Sequence, residues 1–238
     1  MSGESDAQGD RADAPGIALQ AAIAAVERGV RADAGRSGGV PKGEEGGVEW
    51  RALRAFAAAS GRLIRPDRYL FRVGGREHDV CYVQTSSGGS YWIKATKPWY
   101  SGYTVELVDG RPLLMNATVL PYLRRLQLQV DLFGDDLLLE GVIEDPRGWR
   151  CITRQRHIDG LAPTLHEIDE GLNDMGFHRL DIEHMGCEGS HSYLMDNIGL
   201  FDAHPANFRI SEGILVPIDM ILVAFGPEDV ACLQQRLA

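Results

Sequence analysis

The chain has 238 residues, 44% hydrophobic and 24% charged, which fits one globular domain with at most a small extension. Its formal net charge of −10 lacks the basic footprint that general nucleic-acid binding needs. No apolar run is long enough for a transmembrane helix, no signal pattern opens the chain, and the scattered Cys81, Cys151, Cys187 and Cys232 form no CxxC pair, so reduced thiols and the cytoplasm are expected.

Residues 1–48 are rich in Gly, Asp, Ala, Ser and Arg and offer little apolar surface to offset ordering entropy. They read as a flexible tail, with one short helix over 17–28 where Ile17, Leu19, Ile23 and Val26 recur. Order is expected from Val48. Trp50, Leu53, Phe56 and Ala57 share a helical face, and Gly61 stops that helix. Three strand-like pieces follow, "RYLFRVG" (68–74), "DVCYVQT" (79–85) and "SYWIKAT" (90–96). Gly-rich turns separate them, which predicts an antiparallel meander. Asp109-Gly110 marks a hairpin within "GYTVELVDGRPLLMN". "TVLPYLRRLQLQVDLFG" reads as a helix with Leu123, Leu126, Val130 and Phe133 inward. "DLLLEGVIE" and "GWRCITRQ" read as strands.

Thr164 and Glu167 form a capping box before "LHEIDEGLNDM", and Gly176 ends that helix. A hairpin through Glu212-Gly213 and a helix opening at Pro227 complete the chain. The order is α+β. No βαβ unit repeats, which argues against a doubly wound parallel sheet.

The stretch "GLFDAHPANFRI" (199–210) ends an apolar run in Asp-Ala-His-Pro-Ala-Asn and then resumes as a strand. Taken alone, Asp202 reads as a turn cap, and His204 as a hydrogen-bonding loop histidine. Taken with Asn207 and Asp219, Asp202 suits phosphoryl transfer. That chemistry needs a carboxylate to orient or deprotonate an acceptor hydroxyl, and oxygen ligands for magnesium. Asp202 and Asn207 have the Asp-x-x-x-x-Asn spacing of a kinase catalytic loop, and the hairpin after Asn207 returns the chain to Asp219. Lys94 ends an aromatic-rich strand, where a kinase keeps its phosphate-pairing lysine. Gly74 and Gly75 make a turn whose amides could cover phosphates.

These features resemble the protein-kinase-like superfamily. The Asp-x-His-Pro-x-Asn and Ile-Asp pair is similar to that of aminoglycoside phosphotransferases. The chain resembles more closely the serine/threonine/tyrosine-kinase-like domain of bacterial and phage polyvalent proteins, through "REHDVCYV", "IKATKPWYSGYTVE", "YLRRLQLQVDLFGDDLLLEGV", "HIDG", "EIDEGLNDMGF", "DAHPANF" and "LVPIDM", over roughly residues 50–222. The resemblance implies a reduced two-lobed fold with an N-lobe over about 49–155, a hinge over about 155–160 and a small C-lobe over about 161–238. It implies ATP and Mg²⁺ as cofactors and a hydroxyl on a protein or small molecule as acceptor. Asp202 would be the catalytic base, Asn207 and Asp219 the metal ligands, and Lys94, Gly74 and Gly75 the phosphate grip. Gln155 and His157 would offer hinge groups to adenine. Asp131 would be the helix-borne partner of Lys94, with Glu106 and Gln129 as competing positions.

The sequence departs from the family at several points. The loop reads Leu-Phe-Asp rather than His-Arg-Asp, and Met220 and Ile221 stand where Phe-Gly would follow Asp219. Only 238 − 219 = 19 residues follow Asp219, so no peptide-binding helical lobe is expected. A catalytically inactive, pseudokinase-like binding module is the alternative. Separately, "HMGCEGSH" (184–191) holds ligand types that zinc accepts, His184, Cys187 and His191, with His178 as a fourth. A Gly-rich loop with solvated histidines is the other reading of that segment.

Overall fold

A computed structural model of the chain describes residues 16–37, 45–86 and 88–238. The elements run α1 (Ile17–Ser37), α2 (Glu45–Ala59), β1 (Leu63–Ile64), β2 (His78–Gln84), β3 (Ser90–Thr96), β4 (Tyr103–Val108), β5 (Arg111–Asn116), α3 (Val119–Phe133), β6 (Leu137–Asp145) and β7 (Gly148–Arg156). They continue as α4 (Leu165–Asp174), β8 (His178–Leu180), β9 (His191–Met195), β10 (Ile198–Ala203), β11 (Phe208–Ser211), β12 (Ile214–Pro217), β13 (Ile221–Ala224) and α5 (Pro227–Gln234). The class is α+β. The principal sheets have strand orders β1-β6-β7-β3-β2 and β13-β10-β9-β8, and β4-β5 and β11-β12 form separate hairpins. Among the described strands only the β1–β6 pairing is parallel.

Local chemistry accounts for most boundaries. Gly61 at φ +66° follows α2, and Gly134 at φ +63° closes α3 in the left-handed region where a Cβ is costly. The Thr164–Glu167 capping box forms in full, with Thr164 Oγ1 accepting from the Glu167 N–H at 3.2 Å. Asp109-Gly110 and Glu212-Gly213 all have positive φ, as two-residue hairpin turns require.

The flexible-tail expectation fails for residues 17–37, while 1–15 and 38–44 lie outside the described residues. The short helix expected over 17–28 extends to Ser37 as α1 and buries Ala18, Leu19, Ala22 and Val26 against α2, α3 and β6. Its small side chains are the reason: Ala52 comes so near Gly29 that a Cβ there would lie 2.6 Å from the Ala52 methyl. Two helices in such contact bury area that composition alone understates. The meander is also corrected. β2 and β3 pair as expected, but "RYLFRVG" contributes only a bridge from Arg72 to Val80, and the other neighbour of β3 is β7. Tyr69 and Phe71 pack against the Ile93, Ile143 and Ile152 cluster, while Leu70 and Val73 are almost fully exposed, so the segment contributes side chains to the core without joining the sheet as a strand.

Helix α3 lies between two cores. Leu123 and Leu126 pack with α1, α2 and the back of β6, whereas Leu128, Leu132 and Phe133 pack with α4, Tyr193, Leu200 and Phe208. Between these apolar stripes its polar side chains Arg125 and Gln129 are buried. That placement aims a charged helix face at the space between the two sheets.

Candidate functional site

A cavity of about 360 Å³ opens there, within the usual range for ligand sites. One wall comes from the glycine turn, β3 and α3, through Gly75, Glu77, His78, Lys94 and Arg125. The other comes from residues 186–219, through Cys187, Asp202, His204, Asn207 and Asp219.

Each side chain has a structural reason for its place. Lys94 lies in an inner strand, opposite Val80 on one side and Thr153 on the other, so its backbone is fixed from both edges. Its Nζ donates to Ile218 O at 3.2 Å and stands 3.6 Å from Asp219 Oδ2. The β9–β10 register slips between Leu200 and Ala203, and Asp202 sits in that irregularity at φ +60°. Bulges of this kind re-aim a side chain. A single 3-10 turn, Pro205–Asn207, carries the chain into β11, whose register with β12 pairs Phe208 with Pro217. Asn207 O therefore accepts from Ile218 N at 2.8 Å and from Asp219 N at 3.4 Å. The expected meeting of Asn207 and Asp219 at the open end of the hairpin is thus observed. Asn207 Nδ2 donates to Asp202 O at 2.9 Å and Oδ2 at 3.2 Å, which leaves its Oδ1 as the atom it can offer a cation.

The two aspartates differ electrostatically. Burial opposes ionisation of Asp219, but Lys94, Arg125 and His78 outweigh it and hold the carboxyl well below the usual range. Burial pushes the Asp202 carboxyl up to about 6, against the pull of His204 and Asn207. Arg125, with a side chain only 5% exposed, donates to Asp219 Oδ1 at 3.0 Å and to both oxygens of Glu77 at 2.9 and 3.0 Å. His78 is buried, bonded to Tyr122 OH at 3.0 Å, and pushed down to about 4 by desolvation.

Several expected site residues are placed elsewhere. Asp131 is exposed on α3 and accepts from Gln127 Nε2 at 2.7 Å, so it is no partner of Lys94; Glu106 is exposed on β4. The competing Gln129 is buried on α3, with its amide donating to Asp135. The carboxylate nearest Lys94 is Asp219 itself, and the inward position of α3 carries the cation Arg125. Gln155 lies in β7 between β3 and β6, and its side chain donates to Asp135. The His157 N–H donates to Ser90 O at 2.9 Å, and its ring accepts from Trp92 Nε1 at 2.9 Å. Neither residue lines the cavity. Gly75 reaches the cavity, while Gly74 packs behind it: a Cβ on Gly74 would lie 2.4 Å from His78 O.

Arg125, Glu77 and His78 were missed by sequence reasoning. The usable signal was an arginine three residues after Tyr122 and four before Gln129, on the face of α3 that turns inward. No protein-family model, curated protein or solved structure matches this chain.

Proposed function

We propose that the chain is a phosphotransferase of reduced, two-lobed, protein-kinase-like architecture that uses Mg-ATP and phosphorylates a hydroxyl of a protein or small-molecule acceptor. One observation carries the proposal: Gly75, Lys94, Asp202, Asn207 and Asp219, chosen for their chemistry across 145 positions of sequence (219 − 75 + 1), line one cavity.

The donor set fits the cofactor. Asn207 Oδ1 and the Asp219 carboxylate are the hard oxygens magnesium takes, and each carboxylate oxygen has a second lone pair beyond the one facing Arg125 or Lys94. Bound Mg-ATP supplies the transferable phosphoryl group and the charge that neutralises it. Lys94, fixed within its sheet, holds the phosphates. Asp202, ionised above about pH 6, would orient the acceptor hydroxyl and take its proton as the γ-phosphoryl passes to that oxygen and its bond to the β-phosphate oxygen breaks, leaving ADP.

A second reading draws on Asp219, whose two oxygens already face Arg125 and Lys94. That pairing favours a pseudokinase-like module that binds a nucleotide or protein without metal and without turnover. Autophosphorylation and ATP turnover in Asp202→Ala separate the two. The enzyme reading expects a loss of about 10²–10⁴-fold with nucleotide binding retained. Turnover equal to wild type contradicts it, and nucleotide binding with no turnover in wild type supports the binding module.

A further inference from the structure

The zinc ligands expected from "HMGCEGSH" do not gather as a group. His184 Nδ1 accepts from Gly189 N at 2.8 Å, and His191 Nδ1 bonds Asp169 at 3.0 Å, so both rings serve their own segments. Cys187 instead comes together with Asp202 and His204, and the ligand atoms of the three all lie within 4.8 Å of one another. His204 Nε2 and Asp202 Oδ1 are already 3.7 Å apart. Ligands at ordinary zinc bond lengths in a tetrahedron lie roughly 3.3–3.8 Å apart, so closure needs about an ångström of movement.

The loop that carries Cys187 is built to approach Asp202. Ser190 N and Oγ both donate to Cys187 O, at 3.2 and 2.8 Å, and His184 N donates to Ser190 O at 3.1 Å. Gly186, at φ +107°, lies so close that a Cβ there would meet Asp202 Cγ and Oδ1 at 2.4 Å. Only glycine allows the loop to press against this carboxylate.

A second observation points to a ligand. Asp202 Oδ1 is buried with no hydrogen-bond partner among the described residues, while Oδ2 accepts from Asn207. Native structures rarely leave a buried carboxylate oxygen without a donor or cation, because doing so forfeits its solvation. The buried atom lies beside the thiol and the imidazole, in the wall of the cavity.

We infer that Cys187, Asp202 and His204 bind a borderline dication of the zinc class, with a fourth position open to the cavity. Ligand chemistry separates this site from the oxygen pair Asn207 and Asp219. Thiolate and imidazole select zinc over magnesium, and carboxylate and amide oxygens do the reverse. A thiolate and a carboxylate balance the dication's charge, with the imidazole neutral and the thiol proton released to solvent on binding. Three protein ligands with an open position is the pattern of a zinc site that also accepts water or an anionic substrate atom. Resting on the phosphotransfer reading, zinc here sequesters Asp202 and so inhibits transfer to the acceptor.

The test is zinc stoichiometry of the untagged full chain after dialysis, followed by the cobalt(II) spectrum. One zinc per chain is expected, with a thiolate-to-cobalt charge-transfer band and tetrahedral d–d intensity. Cys187→Ser and His204→Gln should each weaken zinc binding by more than about 100-fold, beyond what loss of an outer-shell partner costs. Asp219→Asn should keep the zinc, which separates this site from the nucleotide site: failure of Mg-ATP to bind leaves the zinc result standing. Thermal midpoints without metal check that each variant folds. Should Cys187→Ser not fold, the wild-type cobalt spectrum decides alone. Absence of the thiolate band in wild type, or unchanged zinc affinity in folded Cys187→Ser, overturns the inference.

Discussion

On the wall formed by β3 and α3, Asp219 faces Arg125 Nη2 at 3.0 Å and Lys94 Nζ at 3.6 Å. On the wall formed by β10 and the 184–190 loop, Asp202 Oδ1 is buried without a donor among the described residues. Both aspartates project from the 186–219 side of the cavity, but Asp219 is held ionised by the cations of the β3 and α3 wall, while Asp202 is pushed towards protonation. Carboxylates set apart in this way divide the work: one fixes charge, and the other exchanges a proton near neutral pH. The contrast also shows where the fold spends stability. The cationic wall is a closed network, and the opposite wall retains an unsatisfied group.

The largest break in the comparison is expected from Arg125→Met. It leaves Glu77 and Asp219 without their shared cation, and loss of one partner of a buried ion pair costs about 3–5 kcal/mol. Urea unfolding at pH 7 measures it, and a change below about 1 kcal/mol would mean that the network is not what holds α3.

His78, on the same wall, gives a pH dependence. Its folded value of about 4 lies below the ordinary 6.5, so the unfolded chain takes up the proton first. The stability is present above 6.5, declines as pH falls, and is fully lost below about 4. The total is about 3 kcal/mol. His78→Gln should flatten that window in unfolding free energies measured from pH 7 to 4.

Asp202→Asn sharpens the comparison with the opposite sign. The raised folded value means that ionised Asp202 destabilises the fold, with no cost below 3.8 and the full cost above about 6. The variant should gain about 1–3 kcal/mol at pH 8 and nothing at pH 3.5, while losing turnover. Loss of stability at pH 8 would contradict the account of that wall. Asp131→Ala should change stability by less than about 0.5 kcal/mol and leave nucleotide binding intact, since the residue is exposed and remote from the cavity.

Much of this was legible from local chemistry. Gly134, the Thr164–Glu167 box, the turns at Asp109-Gly110 and Glu212-Gly213, and Pro227 at the start of α5 each carry their signal within a few residues. The site motif was legible in the same way, because Asn207 and Asp219 are joined by a hairpin. Tertiary information was not. β8, β9 and β13 are three to five residues long and gain their identity from neighbours in the sheet. α1 was misjudged because Ala18 and Ala22 contribute little by hydrophobicity and much by close approach. Asp131 is expected, and Arg125 passed over, because the kinase-like pattern that the sequence resembles asks for an acid on the helix. Here the acid that completes the network, Glu77, comes from the glycine turn 48 positions away.

The central claim is that the paired Asp219 and its neighbours form a Mg-nucleotide site. The most direct test is the thermal midpoint of wild type and Asp219→Ala with Mg-ATP, with ATP plus EDTA, and without ligand. Ligand at about 100 times its dissociation constant stabilises by about 2.7 kcal/mol, or about 5–10 °C for a chain of this size. A magnesium-dependent rise in wild type that is lost in Asp219→Ala is predicted. No rise at millimolar Mg-ATP, or an equal rise in Asp219→Ala, would contradict it.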